Sequence, residues 1–222
     1  MHKKTPSPEP APEAQMTAES VPTLRSRKRK FARTAIWETA IELFARKGFD
    51  ETTIDDISKA AGISSRTFFR YFSSKNELMT ETALGYAIAL TEAISGCPRE
   101  YSPSEVLRET VSTVARQAAA FPHAEAILHI VMTSPSAREA RMSRMPEVQR
   151  RVAEAYARRS GQSEEDVMPG MLASLTFMIM DLALQAWYED GRRNMSAKVD
   201  RVFEALGRVI RSDGPRERDS RP

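Results

Sequence analysis

The chain has little of what stabilises secreted or β-rich proteins. It carries one cysteine, Cys97, in 222 residues, which rules out an intrachain disulfide and fits a reducing compartment. Glycine is scarce at nine, and runs of β-branched residues are few. With Ala, Leu, Arg, Glu and Met abundant, that composition points to an all-α protein. Lys3 and Lys4 are followed by no apolar run, so no signal peptide is read there. The longest apolar stretch, Met171 to Trp187, is interrupted by Ser174, Thr176, Asp181 and Gln185. An aspartate near a bilayer centre is costly, so a buried helix is expected, with no membrane partner and a cytoplasmic location. Catalytic motifs are missing too: no GxSxG, no HExxH, no glycine-rich phosphate loop and no paired cysteines. His123 and His129 fall on opposite sides of a helix and cannot share a metal on it. No catalysis, no metal and no cofactor are expected.

What is present is unevenly distributed. The net charge of +3 hides a positive segment: residues 25–75 hold 12 basic and 6 acidic side chains, while the rest of the chain is slightly acidic. Residues 1–24, rich in proline, serine and glutamate, read as a disordered tail. The run RSRKRKFAR over 25–33 places six basic side chains in nine positions. It is either a solvated helix start or an arm on DNA phosphates, Arg27, Lys28, Arg29 and Lys30 foremost.

Behind that run the pattern becomes helix, glycine, helix. From Phe31, the residues Ala35, Ile36, Ala40, Ile41, Leu43 and Phe44 recur at helical spacing until Gly48. Thr52 and Thr53 offer caps for a second helix with Asp55 and Asp56 in its first turn. Gly62 supplies a turn, and Ser64 caps a third helix over SRTFFRYF. On a helical wheel Phe68 and Phe72 share one side, with Tyr71 near them, while Arg66 and Arg70 point away. This is the layout of a helix-turn-helix whose second helix enters the major groove, and two outward arginines suit base edges. Ser74 then caps a long fourth helix from Lys75 to about Gly96 that connects the two halves.

The segment AIELFARKGFDETTIDDISKAAGISSRTFFRYFSSKNEL resembles the TetR family of bacterial transcriptional regulators along its whole ungapped length. The resemblance implies an N-terminal three-helix DNA-binding domain over 25–75. It also implies a C-terminal helical ligand-binding and dimerisation domain over 76–211, about nine helices in all, with a polar tail over 212–222. It implies a homodimer, a small-molecule effector, a double-stranded DNA operator and, most often, repression. Carried over by position, Thr53 touches a phosphate, Ser65, Arg66 and Thr67 face bases, and Tyr71 and Lys75 grip the backbone. Phe69 stands where the family often has a tyrosine, so it lacks a hydroxyl for phosphate. The RTFFRYF form is also similar to a subgroup that includes mycofactocin-system regulators responding to acyl-coenzyme A.

The second half continues as helices. Ser102-Pro103-Ser104-Glu105 is a capping box, Pro122 and Pro135 bound a short helix, and 136–160 is helical with an interruption near Pro146. Ser163 with Glu164, Glu165 and Asp166 is expected to open the long apolar helix, and Gly191 to close it. That helix is apolar around most of its circumference and so must be covered on two sides. Pairing of 163–189 and 196–210 with a second copy supplies the cover. Methionines crowd this half as core filler or as the lining of an adaptable pocket; Tyr86, Leu90, Val111, Met132, Met178 and Asp181 are the candidate lining. Asp181 and Gln185 serve either the ligand or the dimer seam. The rival reading is an architectural DNA binder without ligand, which leaves the neutral half without a role.

Overall fold

The structure is a computed structural model that describes residues 23–163 and 165–212. The expected tails therefore lie outside the described residues, except at their inner edges, as does Glu164. Those edges are helical: Thr23 caps the first helix, α1 (Leu24–Lys47), by accepting from the Ser26 N–H. The basic run is thus the exposed first turns of α1 and not an arm ahead of it. Arg and Lys are good helix formers, and nothing between Thr23 and Phe31 breaks the helix.

Ile36, Ala40, Ile41, Leu43 and Phe44 form the buried stripe of α1. Gly48, at φ 94°, ends it and lets Phe49 turn back until its ring centroid is 4.8 Å from that of Phe44. Next, α2 (Ile54–Ala60) starts in a capping box of Thr53 and Asp56, and Gly62 at φ 67° makes the turn. The third helix, α3 (Ser65–Phe69), is shorter than the eight residues expected, since Arg70 is already its C-cap. From Ser74 rises α4 (Lys75–Gly96).

The remaining helices are α5 (Pro103–Ala120), α6 (Ala124–Thr133), α7 (Pro135–Met142), α8 (Met145–Ser160), α9 (Val167–Glu189) and α10 (Met195–Ser212). The described residues hold ten helices and no strand, in keeping with the about nine expected, and the interruption expected near Pro146 falls at Ser143 and Arg144. The start of α9 also moves. The Asp166 carboxylate accepts from the Ser163 N–H at 2.9 Å, which closes a turn before the helix begins at Val167.

Two cores share α4. One gathers α1, α2 and α3 with Leu78 and Met79, and takes in Ile130 of α6 and Ala137 and Ala140 of α7. The other joins Leu90 and Ile94 to α5, α8, α9 and α10. Helix α9 is long and apolar enough to cross a membrane by length and composition alone. Here Leu172, Ala173, Thr176, Ile179, Met180, Ala183 and Trp187 pack inward. Its opposite side, with Met171, Met178 and Leu182, is exposed on the single chain, so only one of the two expected covers comes from the chain itself.

Candidate nucleic-acid interface and ligand cavity

The outward face of α3 follows from its inward one. Phe68 and Phe72 are essentially without solvent contact, which fixes the helix and leaves Arg66, Phe69 and Arg70 exposed. Ser64 accepts from the Thr67 N–H at 3.1 Å, and the two hydroxyls lie 3.0 Å apart. Ser65 donates to Asp55 of α2 at 2.6 Å, pinning the start of α3 on the preceding helix. The guanidinium of Arg70 lies 5.2 Å from the centre of the half-buried Tyr71 ring. Arg27, Lys28, Arg29 and Lys30 are exposed along the start of α1.

Two of the expected phosphate contacts are engaged inside the chain. Thr53 donates its hydroxyl to Asp56 at 2.8 Å and accepts from the Asp56 N–H at 3.1 Å. A hydrogen bond from Lys47, joined by those from the Thr53 backbone and hydroxyl, holds the Asp56 carboxyl far below the ordinary carboxylate range. Lys75 is turned inward: its ammonium donates 2.6 Å to the Phe49 carbonyl and sits 4.4 Å from the Phe49 ring centre. The carbonyls left over where α1 ends attract that cation, so its first job is to close the loop.

Arg33 was not foreseen as a site residue, yet it ties three elements together. Its guanidinium donates to the Tyr71 carbonyl and to Glu81, and to Glu77 at 2.9 Å, while lying 4.1 Å from the Phe72 ring centre. Burial pushes the Glu77 carboxyl up, but hydrogen bonds from Arg33 and Ser73 outweigh it and hold the group below the usual range. Arg33 thereby fastens α1 to the end of α3 and to the first two turns of α4.

Arg33 and Glu81 also border a cavity of about 1100 Å³, open on one side and lined by α1, α4, α5, α6, α7, α9 and the first residue of α8. Of the six expected lining residues, Tyr86, Met132, Met178 and Asp181 border it. Leu90 and Val111 do not: both are fully buried where α4 meets α5, and their side chains are spent on that core. Trp37, Arg141, Phe177 and Gln185 line the cavity as well. Trp37 and Arg141 gave no sequence signal, since a tryptophan on α1 and an arginine on a short polar helix read as ordinary core and surface. His123 packs edge-on to Trp37, and His129 lies 3.1 Å from the Tyr188 hydroxyl, so the two histidines serve separate places. Among the described residues, no group of three His, Cys, Asp or Glu could hold a metal.

A short cationic helix held outward from a capped helix-turn-helix, and fastened to a helical chamber that shares α4 with it, is the arrangement of a DNA-binding transcription regulator. Residues 36–82 match the bacterial regulatory proteins of the tetR family, and residues 101–211 match the MftR C-terminal domain. The chain belongs to the TetR family. A Mycobacterium tuberculosis protein named as a mycofactocin biosynthesis transcriptional regulator, MftR, is 27% identical over 186 residues, covering 82% of this chain and 92% of that one. The HTH-type transcriptional regulator TcmR of Streptomyces glaucescens is 25% identical, covering 75% and 77%. In fold, the chain is similar to NalD of Pseudomonas aeruginosa, a secondary repressor of the MexAB-OprM multidrug efflux pump. That likeness has a TM-score of 0.61 at 21% identity and covers 81% of this chain and 96% of NalD. It is also similar to FadR of Bacillus subtilis, solved with stearoyl-CoA, with a TM-score of 0.57 at 18% identity and coverage of 78% and 96%.

Proposed function

We propose that the chain is a ligand-released repressor that binds a near-palindromic operator as a homodimer. Residues 25–75 read DNA, and residues 76–211 bind the effector and the second copy. The observation that carries this reading is the Arg33 clasp, because one side chain touches the reading unit, α4 and the cavity. A ligand that displaces α4 acts on α3 through it, and shifts the DNA equilibrium by its differential affinity for the two arrangements.

On DNA, Arg66 and Thr67 face base edges with Ser65 beside them, while Arg27, Lys28, Arg29, Lys30, Arg70 and Tyr71 reach phosphates. Thr53, Ser64 and Lys75 act by positioning, which their internal hydrogen bonds favour. Phe69, 54% exposed, offers an apolar contact where a hydroxyl is missing. For the dimer, Met171, Leu182 and Ile210 are exposed on α9 and α10, an apolar surface that a second copy would cover. The effector is a small, largely hydrophobic molecule with an acyl chain of the kind that acyl-coenzyme A carries. The size of the cavity and its methionine-rich lining support that class, as does the stearoyl-CoA bound by the structurally similar FadR.

Selection of bound DNA from a random pool tests the proposal. Two inverted half-sites about one helical turn apart are the expected outcome. Arg66→Ala should then cost about 1–3 kcal/mol at particular base pairs. A selected pool without two-fold symmetry would remove the dimeric reader, and a loss uniform over all sequences would make Arg66 a phosphate contact.

A further inference from the structure

The cavity wall holds two polar groups that the protein leaves unsatisfied. The Tyr86 hydroxyl and the Arg141 Nε are shut from solvent and have no hydrogen-bond partner. Both residues line the cavity, Tyr86 from α4 and Arg141 from α7. They are close enough for the arginine charge to act on the phenol. A buried donor without a partner costs about 1–3 kcal/mol, and more when charged, so two on one wall call for an acceptor from outside the chain.

Of the three other cations that line the cavity, Lys30 is exposed on α1 and the two arginines are engaged within the chain. Arg33 is held by Glu77, Glu81 and the Tyr71 carbonyl. Arg138 donates to the carbonyls of Val131 at 3.1 Å and Met132 at 3.3 Å, closing the end of α6. Arg141 makes no ion pair among the described residues, and Asp181, the carboxylate whose charge acts on Tyr86, is solvent-exposed on α9. Burial pushes the Tyr86 phenol well above its ordinary range, so at neutral pH it is a donor only in the protonated form it already has. Phe177 packs against Tyr86 with ring centroids 6.2 Å apart, and the apolar Met145 and Met180 line the same cavity.

We propose that Arg141 and Tyr86 form the polar anchor of the cavity and bind the carboxylate of an amphipathic ligand whose apolar chain lies among the methionines and Phe177. This deepens the effector-pocket reading and rests on it. A guanidinium with a free Nε–H and an adjacent phenol can both donate to one carboxylate, a charge-assisted arrangement that a neutral alcohol cannot match.

Equilibrium binding of dodecanoate and of dodecanol to the full chain tests the anchor. Trp37, in the cavity wall, supplies the fluorescence signal, whereas Trp187 is buried in the core on the inward face of α9. The wild type should prefer the acid by about tenfold or more. Arg141→Met should abolish that preference while dodecanol binding stays within about twofold, the interval expected when only the anchor is lost. Tyr86→Phe, which deletes one oxygen, should reduce the preference several-fold and decides the matter if Arg141→Met fails to fold. Equal binding of acid and alcohol to the wild type overturns the anchor and leaves an apolar effector pocket standing. Preference retained in both variants overturns it equally, and binding of neither compound overturns the anchor and the effector reading together.

Discussion

The helix-turn-helix end and the cavity-bearing end are built to opposite tolerances. At the first, α1 through α4 all begin on a Ser or Thr whose hydroxyl accepts a backbone N–H: Thr23, Thr53, Ser64 and Ser74. Its core is closed around Phe44, Phe68 and Phe72. At the second, Ser102 and Ser134 cap α5 and α7, but α6, α8 and α9 have no side-chain cap, and a cavity of about 1100 Å³ replaces part of the core. Under the proposed function, a surface that matches base edges needs fixed side chains, whereas a chamber that admits a ligand needs room and uncommitted polar groups. The stabilising interactions are spent accordingly.

The strongest way to break this contrast is to delete the same ring from both ends. Phe68→Ala should cost about 3–5 kcal/mol of unfolding free energy, since the ring is fully enclosed. Phe177→Ala, at a cavity wall that is already open on one side, should cost less than half of that. Urea unfolding of both variants checks the claim, and equal losses would show that the chamber is packed as tightly as the reader.

Next comes the joint between the two. Arg33→Ala should cost about 1–3 kcal/mol of stability, as expected for hydrogen bonds between charged groups. It should also shrink the effect of ligand on operator affinity while ligand affinity itself changes little. If ligand still releases DNA fully, the coupling runs through some other contact. Caps give a smaller contrast. Thr53→Ala should lose about 1 kcal/mol, and Asp166→Ala, whose carboxylate closes only the turn before α9, less than half as much. Thermal melts rank the pair, and a reversed order would show that the effector end depends on local capping after all.

Acid supplies the mildest test. Glu77 has a folded pKa below its unfolded one, so its contribution is present above the ordinary glutamate range and is lost as pH falls through the depressed value. The clasp is therefore intact at neutral pH and fades in acid. Glu77→Gln should flatten the acid limb of stability against pH by at most about 1 kcal/mol, since the pair is partly exposed. An unchanged limb would place the acid sensitivity elsewhere, in Asp56 for example.

Legibility in the sequence follows the range of the interaction. Gly48, Gly62, the threonine and serine caps, and the alternation of Phe68 and Phe72 with Arg66 and Arg70 act within a few residues. They announce the helix-turn-helix before any packing is known. The short end of α3 was misjudged because a five-residue helix gives no periodicity to read. Lys75 shows another limit. Its position suggests a phosphate, but the Phe49 carbonyl that engages it lies 26 residues earlier and is brought there only by folding.

The sequence by itself determined the helical class, the reading helix and its outward cations, because capping and periodicity are local and additive. Only the tertiary structure decided which charged groups meet and where space is left. Arg33 reaches Glu77 across 44 residues, and Arg141 reaches the neighbourhood of Tyr86 across α5 and α6. A cavity is what remains when seven helices have settled against one another, and no single helix carries a record of it.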